Sequence, residues 1–552
     1  MIATRTRMRV VRTVALLLAG YLAVAAGPGA ASAAAPSYAL IQGSGSSWAA
    51  NAVNQWVADV DAKGLKVVYT ANGAAQGRKD YANKSTDFGV TDSPYRGKDP
   101  TTGATDSSLG RSFAYLPVVA GGTAFPYNIE VGGKKIRNLR LSGDTLAKIF
   151  TNKISNWNDP AITSDNNGRA LPSIPIIPVV RADGAGVTNQ FSTWMTSQHA
   201  GLWKDCNGGK AAPTDYFPLN CGEARGPQRA QTGSDGVMNF IKAKGSVGAI
   251  AMEEYSYPLM AGYPVAKLLN KAGYFTLPTQ YNVAVALTKA EINDNPSDPN
   301  YLTQKLDKVY VNPDKRTYPL SSYVYAIIPT AADDSRMTTA KRQTIVDFLK
   351  HSICEGQSEI GPIGYSPLPI NLVQASFTQV NKLKKADPKV SFDASIIQNV
   401  KNCHNPTFVA GHPEQNLLAK IAPFPADCDR PGKGPCADGV GSYNDNPNGT
   451  GGPKGGTTDT GSDTPGAATT DTDGDGIPDA PAGAGDVPVA GGGADGTGAG
   501  TTSDDVQVVA TTLDPDAGSG PPSVLAALVI GLFAGVLIVP PVVAQVVGRR
   551  RS

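Results

Sequence analysis

Short apolar runs alternate with amphipathic segments along the chain from Ser37 to about Pro425. Short runs bounded by turn residues are typical of strands, whereas apolar positions spaced three and four apart are typical of helices. The runs that predict strands are LKVVYT (Leu65–Thr70), FAYLPVVAGG (Phe113–Gly122), PIIPVV (Pro175–Val180), VGAIAM (Val247–Met252), YNVAVALT (Tyr281–Thr288) and YVYAIIP (Tyr323–Pro329). The segments that predict helices are WAANAVNQWVADVDAKG, GDTLAKIFTNKISNW, GVTNQFSTWMTSQ and TTAKRQTIVDFLKHSI. This alternation indicates an α/β protein with largely parallel sheets.

Both ends of the chain have the composition of membrane-targeting segments. Arginines precede the apolar run Val14–Ala26 and a small-residue motif follows it, which predicts a cleaved signal peptide over residues 1–33. Residues 524–547 are uncharged and long enough to span a bilayer, which needs about 20 apolar residues. Because three arginines follow at once, we place residues 548–552 in the cytoplasm. The sequence therefore predicts a single-pass cell-membrane protein whose N-terminal domain is extracellular.

A change of composition separates the globular region from the predicted span. Residues 428–520 are rich in Gly, Pro, Thr, Asp and Ala and cannot bury enough surface to offset their chain entropy, so we predict a flexible stalk. Within it, DTDGDGIPD has the aspartate spacing of a calcium loop. Ala482 stands where an EF-hand has an acid, and the motif occurs once, so a solvated acidic linker is the alternative. The candidate calcium ligands are Asp471, Asp473, Asp475 and Asp479.

The composition also narrows the function. The formal net charge of the 552-residue chain is +2, which argues against nucleic acid as a partner. The four histidines form no metal-spaced cluster in the sequence, so we predict no zinc site and no cofactor besides the candidate calcium.

Six cysteines lie in the predicted exported part, and an even number outside the cell indicates disulfides. Many pairings are possible. Proximity along the chain favours Cys206 with Cys221 and Cys428 with Cys436, which leaves Cys354 for Cys403.

Two segments place small or hydroxyl residues between a strand and a helix. GSGSSW puts Ser46 and Ser47 at a helix start, where free N–H groups bind either a capping side chain or an anion. YTANGAAQGRKDY repeats the arrangement, but Ala74 provides no hydroxyl at the expected contact, and a plain tight turn is the alternative.

Two further segments add charge. DFGVTDSPY contributes Asp92, which is either a capping residue or an acceptor that favours an oxyanion carrying a proton, because an ionised carboxylate only accepts hydrogen bonds. RADGAGVTNQF contributes Arg181, a planar charged donor, and Asp183, which can orient it. Gly184 and Gly186 let the backbone approach closely in front of the next helix. The alternative for this segment is a surface ion pair of little energetic value.

These segments follow one another in an order that resembles the phosphate-binding protein of bacterial phosphate ABC transporters, of the periplasmic-binding-protein type II family. The segments that carry the resemblance are GSGSSWAANAVNQW, VVYTANGAAQG, STDFGVTDSPY, GDTLAKIFTNKISNWNDPAI, RADGAGVTNQFSTW, GSDGVMNFIKAKGSVGAIAMEEYSY and YPLSSYVYAIIP. It covers roughly Tyr38–Val373. The resemblance implies a two-lobed α/β fold that closes on its ligand, with lobe one at residues 38–122 plus 318–427 and lobe two at residues 123–317.

The resemblance also implies a set of ligand contacts. They are the hydroxyl of Ser47, the backbone N–H of Trp48, the proton-accepting Asp92, the charged donor Arg181, its partner Asp183 and the backbone N–H of Gly186. Three hydroxyls of the family pattern are replaced, because Ala74, Ala185 and Val187 stand at their positions. Hydrogen bonds to charged groups contribute about 1.5–3 kcal/mol each. Binding is therefore weakened unless other polar side chains compensate, and the candidates are Asn72, Gln76, Thr188 and Asn189.

We therefore predict an extracellular solute-binding protein for phosphate or a related oxyanion, a monomer that delivers its ligand to an ABC permease. The alternative is a binding-protein fold repurposed as a membrane-anchored sensor, adhesion or scaffold protein, favoured by the lost hydroxyls and the long stalk. An enzyme is not predicted, because the sequence has no nucleophile elbow, P-loop or histidine-bearing triad motif.

Overall fold

The computed structural model of the protein describes residues 38–98, 103–219, 221 and 227–436. The predicted signal peptide, the membrane span at residues 524–547, the cytoplasmic tail and the candidate calcium aspartates lie outside the described residues and stay predictions. Within these ranges, no helix combines the length and the apolar character needed to cross a bilayer.

The strands of the described residues are mostly short. They are β1 (Ile41–Gly45), β2 (Val67–Thr70), β3 (Phe88–Thr91), β4 (Gly97–Lys98), β5 (Thr105–Asp106), β6 (Phe113–Ala124), β7 (Glu130–Val131), β8 (Lys134–Lys135), β9 (Arg140–Leu141), β10 (Ile177–Arg181), β11 (Arg229–Gln231), β12 (Ala249–Ala251), β13 (Glu253–Glu254), β14 (Lys267–Leu269), β15 (Phe275–Thr276), β16 (Glu291–Ile292), β17 (Gln304–Lys305) and β18 (Ser321–Pro329).

The α-helices lie between these strands and after them. They are α1 (Ala50–Asp61), α2 (Ala74–Ala82), α3 (Gly143–Phe150), α4 (Pro160–Asp165), α5 (Gly186–Gln198), α6 (Ala200–Cys206), α7 (Gly233–Lys242), α8 (Ser256–Met260), α9 (Gln280–Leu287), α10 (Asp307–Tyr310), α11 (Thr339–Ile353), α12 (Ile370–Ala386) and α13 (Leu417–Ile421).

Two sheets organise the fold. The first has the strand order β13-β6-β18-β3-β1-β2, and the second has the order β11-β10-β12. The second sheet is parallel throughout. The first is mixed, because the long buried strands β6 and β18 pair antiparallel with each other and β18 pairs antiparallel with β3. The α/β fold class is confirmed. The expectation of largely parallel sheets holds for the second sheet, for β1 to β3 and for the pair β9 and β14, but not for the first sheet as a whole.

The chain crosses between the two sheets directly after β12. That strand pairs with β10 of the second sheet, and β13 follows it to pair with the end of β6, where Glu253 lies opposite Ala124. Strand β10 and the parallel strands β1 and β2 are each followed by a loop in front of a helix, whereas the loop after β3 leads to β4. These loops carry the residues of the candidate site.

The predicted strand over residues 281–288 is wrong, because this segment forms helix α9. The Thr279 side chain accepts a hydrogen bond from the amide of Asn282 and caps the helix. Its Val and Ala side chains are buried on several sides, so the helical period is hidden in the sequence. Although α9 lies in the stretch predicted as lobe two, it packs against β6 and β18 of the first sheet.

The three predicted disulfides are present and link Cys206 to Cys221, Cys354 to Cys403 and Cys428 to Cys436. The third lies inside the segment predicted as a flexible stalk, and that prediction is wrong for residues 428–436.

This segment packs against the folded domain through two buried cations. Lys267 forms an ion pair with Asp429 at 2.8 Å. Arg140 donates to the carbonyls of Cys428 at 2.9 Å and Lys433 at 2.7 Å. The disulfide and these long-range contacts offset the entropy lost when the segment becomes ordered. The local composition, which is typical of a linker, does not show this. The rest of the predicted stalk, residues 437–520, lies outside the described residues.

Candidate functional site

Four helices begin close to one another, and direct contacts connect their first turns. The Ser47 hydroxyl before α1 lies 2.9 Å from the Ser234 hydroxyl in the first turn of α7. The amide of Ala75 in α2 donates to the carbonyl of Gly184, just before α5, at 3.1 Å. Helix N-termini present unpaired N–H groups and the positive end of the helix dipole. Their convergence therefore builds an environment suited to negative charge.

Arg181 ends strand β10 and lies in the middle of this arrangement. It is 2% exposed. Its Nε donates to Asp183 Oδ1 at 2.8 Å, and its Nη2 pairs with Asp183 Oδ2. Burial alone would lower the pKa of Arg181, but Asp183 raises it above its ordinary value. Asp183 Oδ1 also accepts a hydrogen bond from the amide of Gly233 at 3.1 Å. The carboxylate is therefore fixed by the backbone and holds the guanidinium in one orientation.

The remaining face of Arg181 points to the serine pair. Its Nη1 donates to the Ser234 hydroxyl at 3.4 Å, and Ser234 is the partner of Ser47. Ser234 was not predicted as a site residue. Its hydroxyl lies at the second position of the helix GSDGVMNFIK, and a hydroxyl at a helix start is the pattern that indicated Ser47. The structure thus connects the predicted residues Ser47, Arg181 and Asp183 through a residue that was not predicted.

Asp92 follows β3 and faces the start of α5. It is 1% exposed, and neither of its carboxylate oxygens has a hydrogen-bond partner among the described residues. Burial raises the pKa of Asp92 to about 6. Arg181 and the Ser46 hydroxyl, which is near the carboxylate without a formed hydrogen bond, oppose this shift. A buried carboxylate with free oxygens is costly unless something donates to it. This side chain is therefore built to accept a proton or a proton-bearing ligand atom.

Gly186, the first residue of α5, is in direct contact with Asp92. A Cβ atom at position 186 would lie 1.8 Å from Asp92 Oδ2. The carbonyl of Asp92 also accepts a hydrogen bond from the side-chain amide of Gln190 at 2.8 Å. These contacts join β3 of the first sheet to the helix that follows the second sheet, so glycine is required where the two halves meet.

Trp48 lies at the start of α1 next to Ser47. Its carbonyl accepts the hydroxyl of Tyr365 at 2.7 Å, and its indole packs edge-on against the Tyr365 ring. The side chain is therefore part of the core. The contact of a ligand with the backbone N–H of Trp48 stays a prediction.

The positions without the family hydroxyls are closely packed. Ala74, Ala185 and Val187 are each at most 1% exposed. Most of the proposed compensating side chains are committed elsewhere, because the amides of Asn72 and Gln76 bind Asp80 and that of Asn189 binds Asp215. The Thr188 hydroxyl is buried and has no partner within the described part of the chain. Thr188 is therefore the compensating candidate that the structure favours.

A second buried arginine, Arg78, joins the two halves through ion pairs beside this site. Arg78 of α2 is 1% exposed and forms an ion pair with Asp215 at 2.6 Å. It also binds Asp106, at 2.9 Å. This pair was not predicted, because the partners are 137 positions apart and nothing in the segment YTANGAAQGRKDY marks Arg78 as buried.

Removing the charge of Asp92 is expected to stabilise the ligand-free protein in a pH-dependent way. Because its folded-state pKa is raised, the folded state binds the Asp92 proton more tightly than the unfolded state, and stability falls as the pH rises from about 4 to about 6. The variant Asp92→Asn has no such loss. Its free energy of unfolding relative to the wild type should increase over that range by about 3 kcal/mol, since one pKa unit corresponds to about 1.4 kcal/mol.

Chemical denaturation of both proteins in phosphate-free buffer at several pH values measures this difference. All other titrating groups are common to the two proteins and cancel. A difference that stays constant between pH 4 and pH 7 would show that the carboxyl of Asp92 is not desolvated.

Two sheets joined by crossing strands, with helix N-termini from both halves meeting at a buried arginine, define the type II periplasmic-binding-protein fold. A family model described as the PBP superfamily domain matches residues 30–350. The chain belongs to this superfamily of binding proteins. The prediction that it is not an enzyme is confirmed by this membership.

Named relatives are phosphate-binding proteins. Phosphate-binding protein PstS 3 of Mycobacterium tuberculosis (strain ATCC 25618 / H37Rv) is 30% identical over 346 residues, which cover 62% of this chain and 86% of the relative. Phosphate-binding protein PstS of Methanocaldococcus jannaschii is 31% identical over 363 residues, covering 63% and 88%. A solved structure of a high affinity periplasmic phosphate-binding protein bound with phosphate aligns with 64% of this chain and all of its own at 18% identity and a TM-score of 0.49. The resemblance stated from the sequence is confirmed.

Proposed function

We propose that the chain binds inorganic phosphate, or a closely related oxyanion, between the N-termini of α1 and α5. The observation that carries the proposal is the pairing of a fixed cation with a free acceptor. Arg181 is buried and oriented by Asp183, while both carboxylate oxygens of Asp92 lack a hydrogen-bond partner in the part of the chain that the structure describes. A hydrogen phosphate has both the negative charge that Arg181 requires and the proton that Asp92 can accept.

The proposal assigns the six predicted residues to roles that agree with their surroundings. Ser47 and Arg181 supply donors from opposite halves, with Ser234 between them. The amide of Gly186 lies in the first turn of α5, where no intrahelical acceptor is available, and the amide of Trp48 lies in the turn just before α1. Asp92 accepts the proton of the ligand, and Asp183 acts through Arg181. Thr188 adds a hydroxyl on α5 near the positions where Ala185 and Val187 have none.

We further propose that two lobes, one around each sheet, close over the anion and that the protein delivers it to an ABC permease. The named relatives support this proposal. Membrane attachment through residues 524–547 and an extracellular location rest on the sequence. The alternative, a fold repurposed as a sensor, adhesion or scaffold protein, is not favoured, because the relatives are phosphate-binding proteins and the charged residues of the site are retained.

The site should discriminate between phosphate and sulfate. At neutral pH sulfate carries no proton, so Asp92 would face it as an unpaired buried charge. An unmade hydrogen bond to a charged group costs about 1.5–3 kcal/mol, and sulfate should therefore bind about 10- to 150-fold more weakly than phosphate.

Isothermal calorimetry on the full-length chain with phosphate, arsenate and sulfate tests both the function and this preference. Asp92→Asn is the matched variant, because its amide can donate to sulfate and should narrow the difference. The absence of heat with all three anions at millimolar concentration would overturn the proposed function. Equal affinities for phosphate and sulfate in the wild type would overturn the role of Asp92.

A further inference from the structure

A second buried acid lies at the crossing between the two sheets. Glu253 occupies β13 opposite Ala124 at the end of β6 and is fully buried. Its Oε1 accepts the backbone amide of Glu254 at 2.8 Å. Its Oε2 is buried, and within the described ranges it has no hydrogen-bond partner. One oxygen of this carboxyl group is therefore committed to the backbone, while the other lies near Ser234 without a formed hydrogen bond.

Glu253 shares its surroundings with the proposed anion site, because α7, whose first turn carries Ser234, packs against β13. Arg181 and Ser234 stabilise the ionised form of Glu253, whereas the negative charge of Asp235 in α7 destabilises it. Tyr257 of α8 and the neighbouring Glu254 are the other titratable groups close to it. Burial dominates and raises the pKa of Glu253 to about 7. Arg181 and Ser234 are also the groups that connect to Ser47, so an ionised Glu253 and a bound anion would compete for the same donors.

We propose that Glu253 is a proton-carrying residue of the anion site, which is protonated when the anion is bound and then donates a hydrogen bond within the site. The inference rests on the proposed function. A bound anion neutralises the effect of Arg181 and adds a negative charge of its own, and both changes favour the neutral acid. A neutral carboxylic acid has an O–H donor, whereas the ionised form has none. The acid thus adds a donor to a site in which Ala74, Ala185 and Val187 have replaced hydroxyls.

The proton comes from solvent, so binding is linked to pH. Below about pH 7 Glu253 is already protonated and binding takes up no proton at this residue. Above that pH the acid must be protonated on binding, and the affinity should fall about tenfold for each further pH unit. The ligand and Asp92 titrate as well, but they do so in every variant that retains them.

The test compares phosphate affinity from pH 6 to pH 8.5 in the full-length wild type and in Glu253→Gln, whose amide is a donor at every pH. The affinities should be similar at pH 6, and the wild type should bind about 30-fold more weakly than the variant by pH 8.5. Glu254→Gln is the matched control. Its acid is equally buried and also has one oxygen without a partner within the described residues, but its neighbours are Ser256 and Tyr365 instead of Arg181 and Ser234. Its pH profile should therefore follow the wild type.

A second measurement keeps the test independent of how the variant folds. Calorimetry of the wild type at pH 8 in buffers of different ionisation enthalpy should show uptake of about one proton per phosphate bound. Parallel pH profiles for wild type and Glu253→Gln, or no proton uptake at pH 8, would overturn the role of Glu253 while leaving the anion site intact. The absence of phosphate binding by the wild type at every pH would instead overturn the proposed function, and this inference with it.

Discussion

Replacing Arg181 with alanine should weaken phosphate binding by about 2–5 kcal/mol, or roughly 30- to 5,000-fold. The guanidinium is 2% exposed and is the proposed site's fixed positive charge. Its removal also leaves Asp183 as an unpaired carboxylate beside the bound anion, which adds repulsion to the lost attraction. Calorimetric titration with phosphate at pH 7 measures the change. Arg181→Lys retains the charge without the planar fork, and we expect it to lose less affinity than Arg181→Ala.

Arg316→Ala is a matched control for this experiment. Arg316 also pairs with an aspartate two positions away, Asp314, at 2.8 Å, but its other contacts are the carbonyls of Ala419 and Ala422. We expect this variant to bind phosphate as the wild type does. Unchanged affinity in a folded Arg181→Ala variant would show that the ligand binds elsewhere.

Replacing Gly186 with alanine should weaken phosphate binding by about 1–3 kcal/mol, or roughly 5- to 150-fold. The new methyl carbon would stand 1.8 Å from Asp92 Oδ2 and 2.0 Å from Asp92 Cγ, so β3 and α5 must move apart. The proposed function requires Asp92 and the first turn of α5 to bind the same anion. Once β3 and α5 have moved apart, only one of the two contacts with the anion can form. The thermal stabilisation produced by phosphate should decrease in parallel.

Gly236→Ala controls for the general effect of alanine near the start of a helix. Gly236 lies in the first turns of α7, where the nearest atom to a new Cβ is the Gln231 Cβ at 3.8 Å. Alanine should there leave affinity unchanged and stabilise the helix by up to about 1 kcal/mol. If Gly186→Ala bound phosphate as tightly as Gly236→Ala, the contact of Asp92 with Gly186 would not belong to the bound state.

Sequence reasoning succeeded where the physical signal is local. The segment GVTNQFSTWMTSQ predicts a helix, and the structure has α5 over Gly186–Gln198. Arg181 and Asp183 are two positions apart, so their pairing follows from the strand end that carries them. Proximity along the chain also predicted the three disulfide pairs.

The remaining features depend on long-range packing. Glu253 and Glu254 follow the predicted strand Val247–Met252, and no local pattern marks them as buried, yet the crossing between the sheets buries both. The pair of Arg78 with Asp215 and the docking of Asp429 on Lys267 join residues far apart in the chain. Helix α9 was mistaken for a strand because burial on several sides hides its period. Local patterns specify elements and charged motifs, but not which polar groups become buried together.

A crystal structure of the full-length chain grown with phosphate tests the central claim most directly. We expect one phosphate between the N-termini of α1 and α5, within hydrogen-bond distance of Ser47, Arg181 and Asp92. A phosphate bound away from Arg181, or a structure with these side chains still in contact only with one another at saturating phosphate, would contradict it.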